Sequence, residues 1–168
     1  GRVDGIDPDP HAAGTARARV AAAGLNGSVF DAADDVPVGS YDLIVANSVL
    51  QYLADEATLA VTLARFRDWL RPGGQGTVVV ADLIPERYSK WLDAGRSLAV
   101  AARHGVLTAM TAYLAKAALN AGGGKLLRVA PERFAELAEA AGFACERLPR
   151  NLTPSRQRYS CVLTARGS

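Results

Sequence analysis

The sequence is poor in the residues that build disulfide scaffolds and metal centres. Only two of its 168 residues are cysteine and two are histidine. Cys145 and Cys161 have neither CxxC spacing nor a nearby histidine, so the pattern supports neither a disulfide framework nor a metal site. We expect two plain buried thiols and a reducing, cytoplasmic location.

Long apolar runs and blocks of like charge are also absent. No stretch approaches the ~20 apolar residues of a membrane span, and no signal-peptide pattern opens the sequence. The net charge is +2 and the arginines are scattered, which argues against a nucleic-acid surface. We therefore expect neither a membrane nor a nucleic acid as partner. What is present, 49% hydrophobic and 21% charged residues, is typical of one globular domain over residues 1–168.

The hydrophobic pattern predicts alternating strands and helices. Four short apolar segments are predicted as strands: residues 3–6, 28–31, 41–46 and 77–81. Asp9 and Asp55 can cap helices after the first and third strands, and Pro131 opens a later helix. Because the third and fourth strands are nearly continuous apolar runs, we expect both faces of the sheet to be covered. The pattern indicates an α/β fold with a mostly parallel sheet.

The second half of the chain departs from this alternation. Residues 83–129 carry two Ala/Leu-rich helical stretches and no strand signal, so we predict a helical insertion there. Two strands are predicted at residues 144–148 and 159–164, and their connection is too short for a crossover helix. These strands must therefore pair antiparallel, which closes the sheet with a hairpin.

An ordered set of motifs accompanies these elements. It consists of Val3-Asp4-Gly5-Ile6-Asp7, then Tyr41-Asp42-Leu43-Ile44-Val45 followed by Asn47-Ser48, then Leu70-Arg71-Pro72-Gly73-Gly74 before a Val-rich strand. Together with the closing hairpin, this set resembles the class I S-adenosylmethionine-dependent methyltransferases over nearly the whole chain. The resemblance implies a Rossmann-like sheet, S-adenosyl-L-methionine as cofactor and a small organic molecule as methyl acceptor. A homodimer is compatible with it.

The resemblance also implies a set of cofactor-binding residues. Asp7, followed by Pro8, stands where the family binds the ribose hydroxyls; the structural alternative is a turn aspartate that caps the next helix. Asn47 and Ser48 stand near the methionine part of the cofactor, and a helix-capping turn would use the same residues. In the family an acidic residue accepts from the adenine amino group, and this sequence matches that position less well. Its usual position falls on Ala32, Asp31 fits only with a one-residue insertion, and Asp34 is the other candidate.

The acceptor side is expected within residues 83–129. Tyr88, Trp91 and Tyr113 are candidates for lining an apolar acceptor pocket, although their residue types favour structural packing as the alternative for each. His104 is the histidine of this segment and the candidate general base. The alternative for His104 is a surface residue at a helix end.

One family feature has no counterpart in the sequence. The strand and glycine-rich turn that approach the cofactor would stand before Gly1, at the centre of the sheet, so we expect the chain to be incomplete at its amino end. Two other functions stay open. The first is a non-catalytic binding or scaffold module that has lost the cofactor loop. The second is an NAD-dependent dehydrogenase, against which the closing hairpin and the Leu-Arg-Pro-Gly-Gly turn both argue.

Overall fold

The computed structural model describes three continuous stretches, residues 1–73, 76–89 and 126–167. It also describes six single residues between them: Leu98, Ala102, Arg103, Gly105, Thr108 and Thr111. The chain divides into two compact units, Gly1–Ser40 and Tyr41–Ser168, and each is described by itself.

The first unit is a short strand, a helix and a second short strand. Strand β1 (Gly5–Ile6) pairs parallel with β2 (Val29–Phe30), and helix α1 (Pro10–Ala22) connects them. As predicted, Asp9 caps α1: its side chain accepts from the N–H groups of His11 and Ala12 at 2.8 and 3.0 Å. A backbone turn with Gly24 at φ 62° follows α1, and this left-handed conformation favours glycine.

The second unit contains a four-stranded sheet with strand order β3-β4-β6-β5. Its strands are β3 (Leu43–Asn47), β4 (Thr77–Leu83), β5 (Phe143–Arg147) and β6 (Tyr159–Ala165). β3 and β4 run parallel, whereas β6 runs antiparallel to both β4 and β5. The predicted hairpin and its reversed strand are therefore confirmed, and the fold is α/β and Rossmann-like.

Two helices accompany this sheet within the described part of the second unit. Helix α2 (Glu56–Trp69) begins after its cap Asp55, and α3 (Pro131–Ala140) packs against β5 and α2. One face of the sheet is buried at its centre, where Val78 and Val80 on β4 and Leu163 on β6 are 0% exposed. The Phe134 ring of α3 meets the Tyr159 ring edge-on at 6.3 Å between centroids. None of the helices within the described stretches is long and apolar enough to span a bilayer.

The expectation that both sheet faces are covered is wrong for β3. Leu43 is 56% exposed and Val45 is 61% exposed, while Ala46 is buried. Side chains alternate along a strand, so Leu43 and Val45 lie on the face opposite Ala46. Among the described residues β3 also forms the edge of the sheet, because its one neighbour is β4. β3 is therefore an edge strand with one exposed face, although its sequence is a continuous apolar run.

The two cysteines lie on neighbouring strands of the hairpin as free thiols. Cys161 on β6 is buried, as expected, but Cys145 on β5 is only half-buried. The difference follows from the strand order, because β6 lies between two strands and β5 lies at the edge. Hydrogen bonding with Cys145 and burial both raise the pKa of the Cys161 thiol.

Candidate functional site

Asp7 lies directly after β1, at the carboxyl end of the strand, where ligands collect in α/β sheets. Its N–H donates to the carbonyl of Phe30 on β2 at 3.1 Å, and its Oδ1 accepts from the N–H of Asp9 at 2.9 Å. Asp9, and not Asp7, caps α1, whereas Asp7 forms the turn that leads into the helix. Within the described residues Oδ2 of Asp7 accepts no hydrogen bond, so it can accept from a ligand hydroxyl. Pro8 follows it at the surface.

The candidates for adenine recognition lie after β2 and are exposed. Asp31 forms an ion pair with Arg17, whose guanidinium also donates to the carbonyl of Val29 at 3.1 Å. Ala32 precedes a short 3-10 helix (Ala33–Asp35) that includes Asp34. An exposed ion pair such as Asp31–Arg17 contributes little stability, and it leaves Asp31 accessible at the surface. The choice between Asp31, Ala32 and Asp34 stays a prediction.

The Asn47–Ser48 turn lies at the carboxyl end of β3. Asn47 is exposed, and Ser48 has φ 55°, a left-handed backbone conformation that non-glycine residues rarely adopt. Such a residue costs about 1–3 kcal/mol and persists only where its surroundings hold it. Two contacts do so here: the N–H of Ser48 donates to the carbonyl of Ala81 at 3.1 Å, and its Oγ donates to Oδ2 of Asp82 at 2.9 Å.

Asp82 is the second left-handed residue of this region, with φ 71°. It lies near the carboxyl end of β4, where the register with β6 shifts between Val80 and Leu83. Such a β-bulge re-aims side chains, and bulges are frequent beside active sites. Asp82 is only 6% exposed, so its carboxylate requires hydrogen-bond partners from the protein.

Those partners come from β3 and from the loop between β5 and β6. Oδ1 of Asp82 accepts from Thr153 Oγ1 at 2.5 Å and from Asn151 Nδ2 at 3.3 Å. Oδ2 accepts from Ser48 Oγ and from Arg158 Nη1, the latter at 2.5 Å. The carboxylate thus joins the end of β3 to the hairpin loop, and we call these five side chains the Asp82 cluster.

Arg158 extends the Asp82 cluster toward one of the predicted acceptor residues. Its Nη1 also donates to Oε1 of Gln51 at 3.2 Å, and its Nη2 donates to the hydroxyl of Tyr88 at 3.1 Å. The Arg158 guanidinium lies 5.3 Å from the centroid of the Tyr88 ring, and the guanidinium of Arg128 lies 5.7 Å from it. Tyr88 is therefore a half-buried aromatic ring held in a positively charged setting.

The environment of Asp82 keeps it ionised. Burial by itself raises the pKa of Asp82, but the hydrogen bonds from Thr153 and Ser48, the positive charge of Arg158 and the hydrogen bond from Asn151 outweigh it. The net effect lowers the pKa of Asp82 below its ordinary value. The carboxylate is consequently an acceptor and an anion at neutral pH.

The structure describes some of the predicted site residues but not all of them. Asn47, Ser48 and Tyr88 belong to the second unit, and Ser48 and Tyr88 are joined to one another through Asp82 and Arg158. The remaining acceptor candidates, Trp91, His104 and Tyr113, lie outside the described residues.

Sequence reasoning missed Asp82 and Arg158. A signal for Asp82 was present, because a carboxylate follows the Thr-Val-Val-Val-Ala strand just as Asn47 follows its own apolar strand. Nothing in the sequence indicated that Asp82 and Arg158 would form a pair. Their contact depends on the bulge in β4 and on the path of the loop before β6, which local patterns do not encode.

Comparisons with known proteins agree with this geometry. The family model described as "Methyltransferase domain" matches residues 1–75. Over 84 residues, 50% of this chain, the sequence is 42% identical to trans-aconitate 2-methyltransferase of Methylobacterium radiotolerans. These matches support a class I methyltransferase. That match spans 30% of the length of the aconitate enzyme, so it relates this chain to part of a longer protein.

Solved methyltransferases have the same fold. A SAM-dependent methyltransferase of Methanosarcina mazei is similar with a TM-score of 0.64 and 13% identity, over 99% of this chain and 83% of the other. Magnesium protoporphyrin IX methyltransferase of Synechocystis PCC 6803, solved with bound SAH, is similar with a TM-score of 0.59 and 16% identity. In that case 100% of this chain and 65% of the other are covered. At such identities the likeness shows the fold of this chain and no more.

Proposed function

We propose that this protein transfers a methyl group from S-adenosyl-L-methionine to a small organic acceptor. The observation that carries the proposal is the polar site at the carboxyl ends of β3 and β4. There the Asn47–Ser48 turn is held in a left-handed conformation by a buried carboxylate. Ligands of open α/β sheets bind at this end of the strands, and the similarity of residues 1–75 to a methyltransferase domain supports this cofactor.

In this proposal Asp7 accepts from the ribose hydroxyls beside Pro8, and Asp31 or Ala32 stands at the adenine. Asn47 and Ser48 hold the methionine part. The bound cofactor supplies an electrophilic methyl group, whose bond to sulfur breaks as the bond to the acceptor forms. Alignment of the acceptor is then the main task of the protein, and alignment can lower a reaction barrier by roughly 7–11 kcal/mol.

The acceptor is proposed to bind beside Tyr88, with Trp91 and Tyr113 as further lining residues. The names of the aconitate and protoporphyrin enzymes state small organic acceptors, which supports the same class here. A carboxylate acceptor is already ionised at neutral pH and needs no base, whereas a phenol or amine gives its proton to a base such as His104. A transfer assay with methyl-labelled cofactor tests this class against carboxylic acids, phenols and amines. Labelling of protein or nucleic acid alone would contradict it.

Titration calorimetry on the full-length protein tests the cofactor side. We expect Asp7→Ala to weaken binding of S-adenosylmethionine at least tenfold, because the ribose hydroxyls lose their acceptor. Asp35→Ala is the matched control: it removes an exposed carboxylate of the same unit that has no place in the proposed site. Equal affinities of the wild type and Asp7→Ala would contradict the assigned role of Asp7.

A further inference from the structure

Two left-handed residues stand side by side at the ends of two paired strands. Ser48 and Asp82 are the non-glycine residues with positive φ in the described part of the chain. The last residue pair of the parallel ladder between β3 and β4 is Asn47 opposite Ala81, and Ser48 and Asp82 directly follow these two residues. The N–H of Ser48 donates to the carbonyl of Ala81. Their side chains meet through the 2.9 Å hydrogen bond from Ser48 Oγ to Asp82 Oδ2. Non-glycine residues in this conformation are most frequent at active and ligand sites. They persist only where surrounding contacts hold them.

We propose that Asp82 is a positioning residue that holds the Asn47–Ser48 turn in the conformation that binds the cofactor. This inference rests on the proposed function. Asp82 has no direct contact with the cofactor in this account. It acts through Ser48, whose hydroxyl it holds, and so fixes where the backbone groups of the turn point.

The chemistry of the Asp82 cluster requires a carboxylate. Both oxygens of Asp82 face donors only: Thr153 and Asn151 at Oδ1, Ser48 and Arg158 at Oδ2. An amide in the same place would turn an NH2 group toward two of these donors and would leave the charge of Arg158 without its partner. Asp82→Asn therefore conserves size while it breaks the arrangement that holds Ser48.

A purely structural role for Asp82 makes a different prediction. If Asp82 only stabilises the hairpin loop through Arg158 and Asn151, its replacement should weaken cofactor binding by the same factor whatever residue stands at position 48. If Asp82 acts through Ser48, the effect should depend on that residue. Glycine adopts a positive φ without steric cost, so Ser48→Gly makes the turn less dependent on the carboxylate.

The test is a double-mutant cycle read out as the dissociation constant of S-adenosylhomocysteine on the full-length protein. We expect Asp82→Asn to weaken binding at least tenfold in the wild-type background and at most threefold in the Ser48→Gly background. Asp42→Asn is the matched control, because Asp42 is also paired with an arginine, Arg71, but lies at the surface of the same unit. It should change the dissociation constant less than twofold.

Ser48→Ala provides a second reading that leaves Arg158 and its partners intact, should Asp82→Asn fail to fold. It should weaken binding at least threefold more than Ser48→Gly does, because alanine bears the steric cost of a positive φ that glycine does not. Equal loss in Ser48→Ala and Ser48→Gly, or the same factor for Asp82→Asn in both backgrounds, would overturn the positioning role. A wild-type protein that binds no cofactor would instead overturn the proposed function together with this inference.

Discussion

At the scale of single residues, Asp82 and Arg158 form a buried ion pair in the second unit. The two side chains are 7% and 14% exposed, and a pair this buried is costly to break by removing one partner. The surface pairs Arg133–Glu56 and Arg71–Asp42 have exposures near one half or above, and they contribute little.

The first prediction concerns stability and pH. The pKa of Asp82 is lowered in the folded protein, so this carboxylate stabilises the fold above its ordinary pKa, and the contribution is lost as the pH falls through the folded value. Asp82→Asn should reduce the free energy of unfolding by about 3 kcal/mol at pH 7. The difference from the wild type should shrink below about pH 4. Urea unfolding followed by circular dichroism at pH 7, 5, 4 and 3 measures both, and a gap independent of pH would count against the ionised pair.

Part of the candidate site could be proposed from the sequence at this scale, and the roles of its residues stay predictions. Asp7, Asn47 and Ser48 could be predicted because each follows an apolar strand, and the carboxyl end of a strand is a fixed place in an α/β sheet. The left-handed conformation of Ser48 and the burial of Asp82 could not be predicted in the same way. Both depend on hydrogen bonds between segments more than 30 residues apart in the chain, such as the one that joins Ser48 to Asp82.

At the scale of elements, helix α2 shows how a weak pattern still sets which face is buried. Leu59 and Leu63 are 0% exposed, whereas Val61 between them is 55% exposed. In the sequence, Leu59, Leu63 and Phe66 recur at three- and four-residue spacing, and this spacing predicts the buried face. Helix ends were predictable too, because Asp55 and Asp9 supply local caps.

The second prediction compares two positions on this helix. Leu63→Ala should lower the free energy of unfolding by about 3 kcal/mol, because it removes buried methyl groups and leaves a cavity. Val61→Ala should change it by less than about 0.5 kcal/mol, since an exposed valine loses little burial. Chemical denaturation of both variants measures the difference. Similar losses in the two variants would mean that the assigned buried face of α2 is wrong.

For strand β3, the structure differs from the prediction made from the sequence. Its apolar run predicted a strand covered on both faces, yet Leu43 and Val45 are more than half exposed. The strand itself was predicted correctly, because β-branched and apolar residues between turns specify a strand whatever covers it. What covers a strand depends on its neighbours in the sheet, and the sequence of the strand does not contain that information.

At the scale of the whole molecule, we expect the chain to self-associate through β3, which is an edge strand of the sheet among the described residues. An apolar edge strand without proline or lysine is a template for pairing with another chain. We expect the 168-residue chain to form dimers or larger species at micromolar concentrations, and Val45→Lys to reduce them severalfold. Sedimentation velocity measures the change, with Val61→Lys on the exposed face of α2 as control. A monomer at all concentrations, or equal effects of both lysines, would contradict this use of the edge.

The proposed reaction also belongs to the whole molecule. The chain aligns with 30% of the curated methyltransferase it matches and covers 65% of the protoporphyrin enzyme. The expectation that a strand and a glycine-rich turn precede Gly1 stays a prediction. Binding should therefore be measured on the full-length gene product, where such a segment can contribute.

The most direct measurement of the central claim is a titration of the full-length wild-type protein with S-adenosylmethionine and, separately, with NADH. A methyltransferase with the ribose acceptor Asp7 and the Asn47–Ser48 turn should bind one molecule of S-adenosylmethionine saturably and show no saturable binding of NADH. Absence of saturable S-adenosylmethionine binding would favour a module without catalysis, and selective binding of NADH would favour a dehydrogenase. Either result would contradict the proposed function.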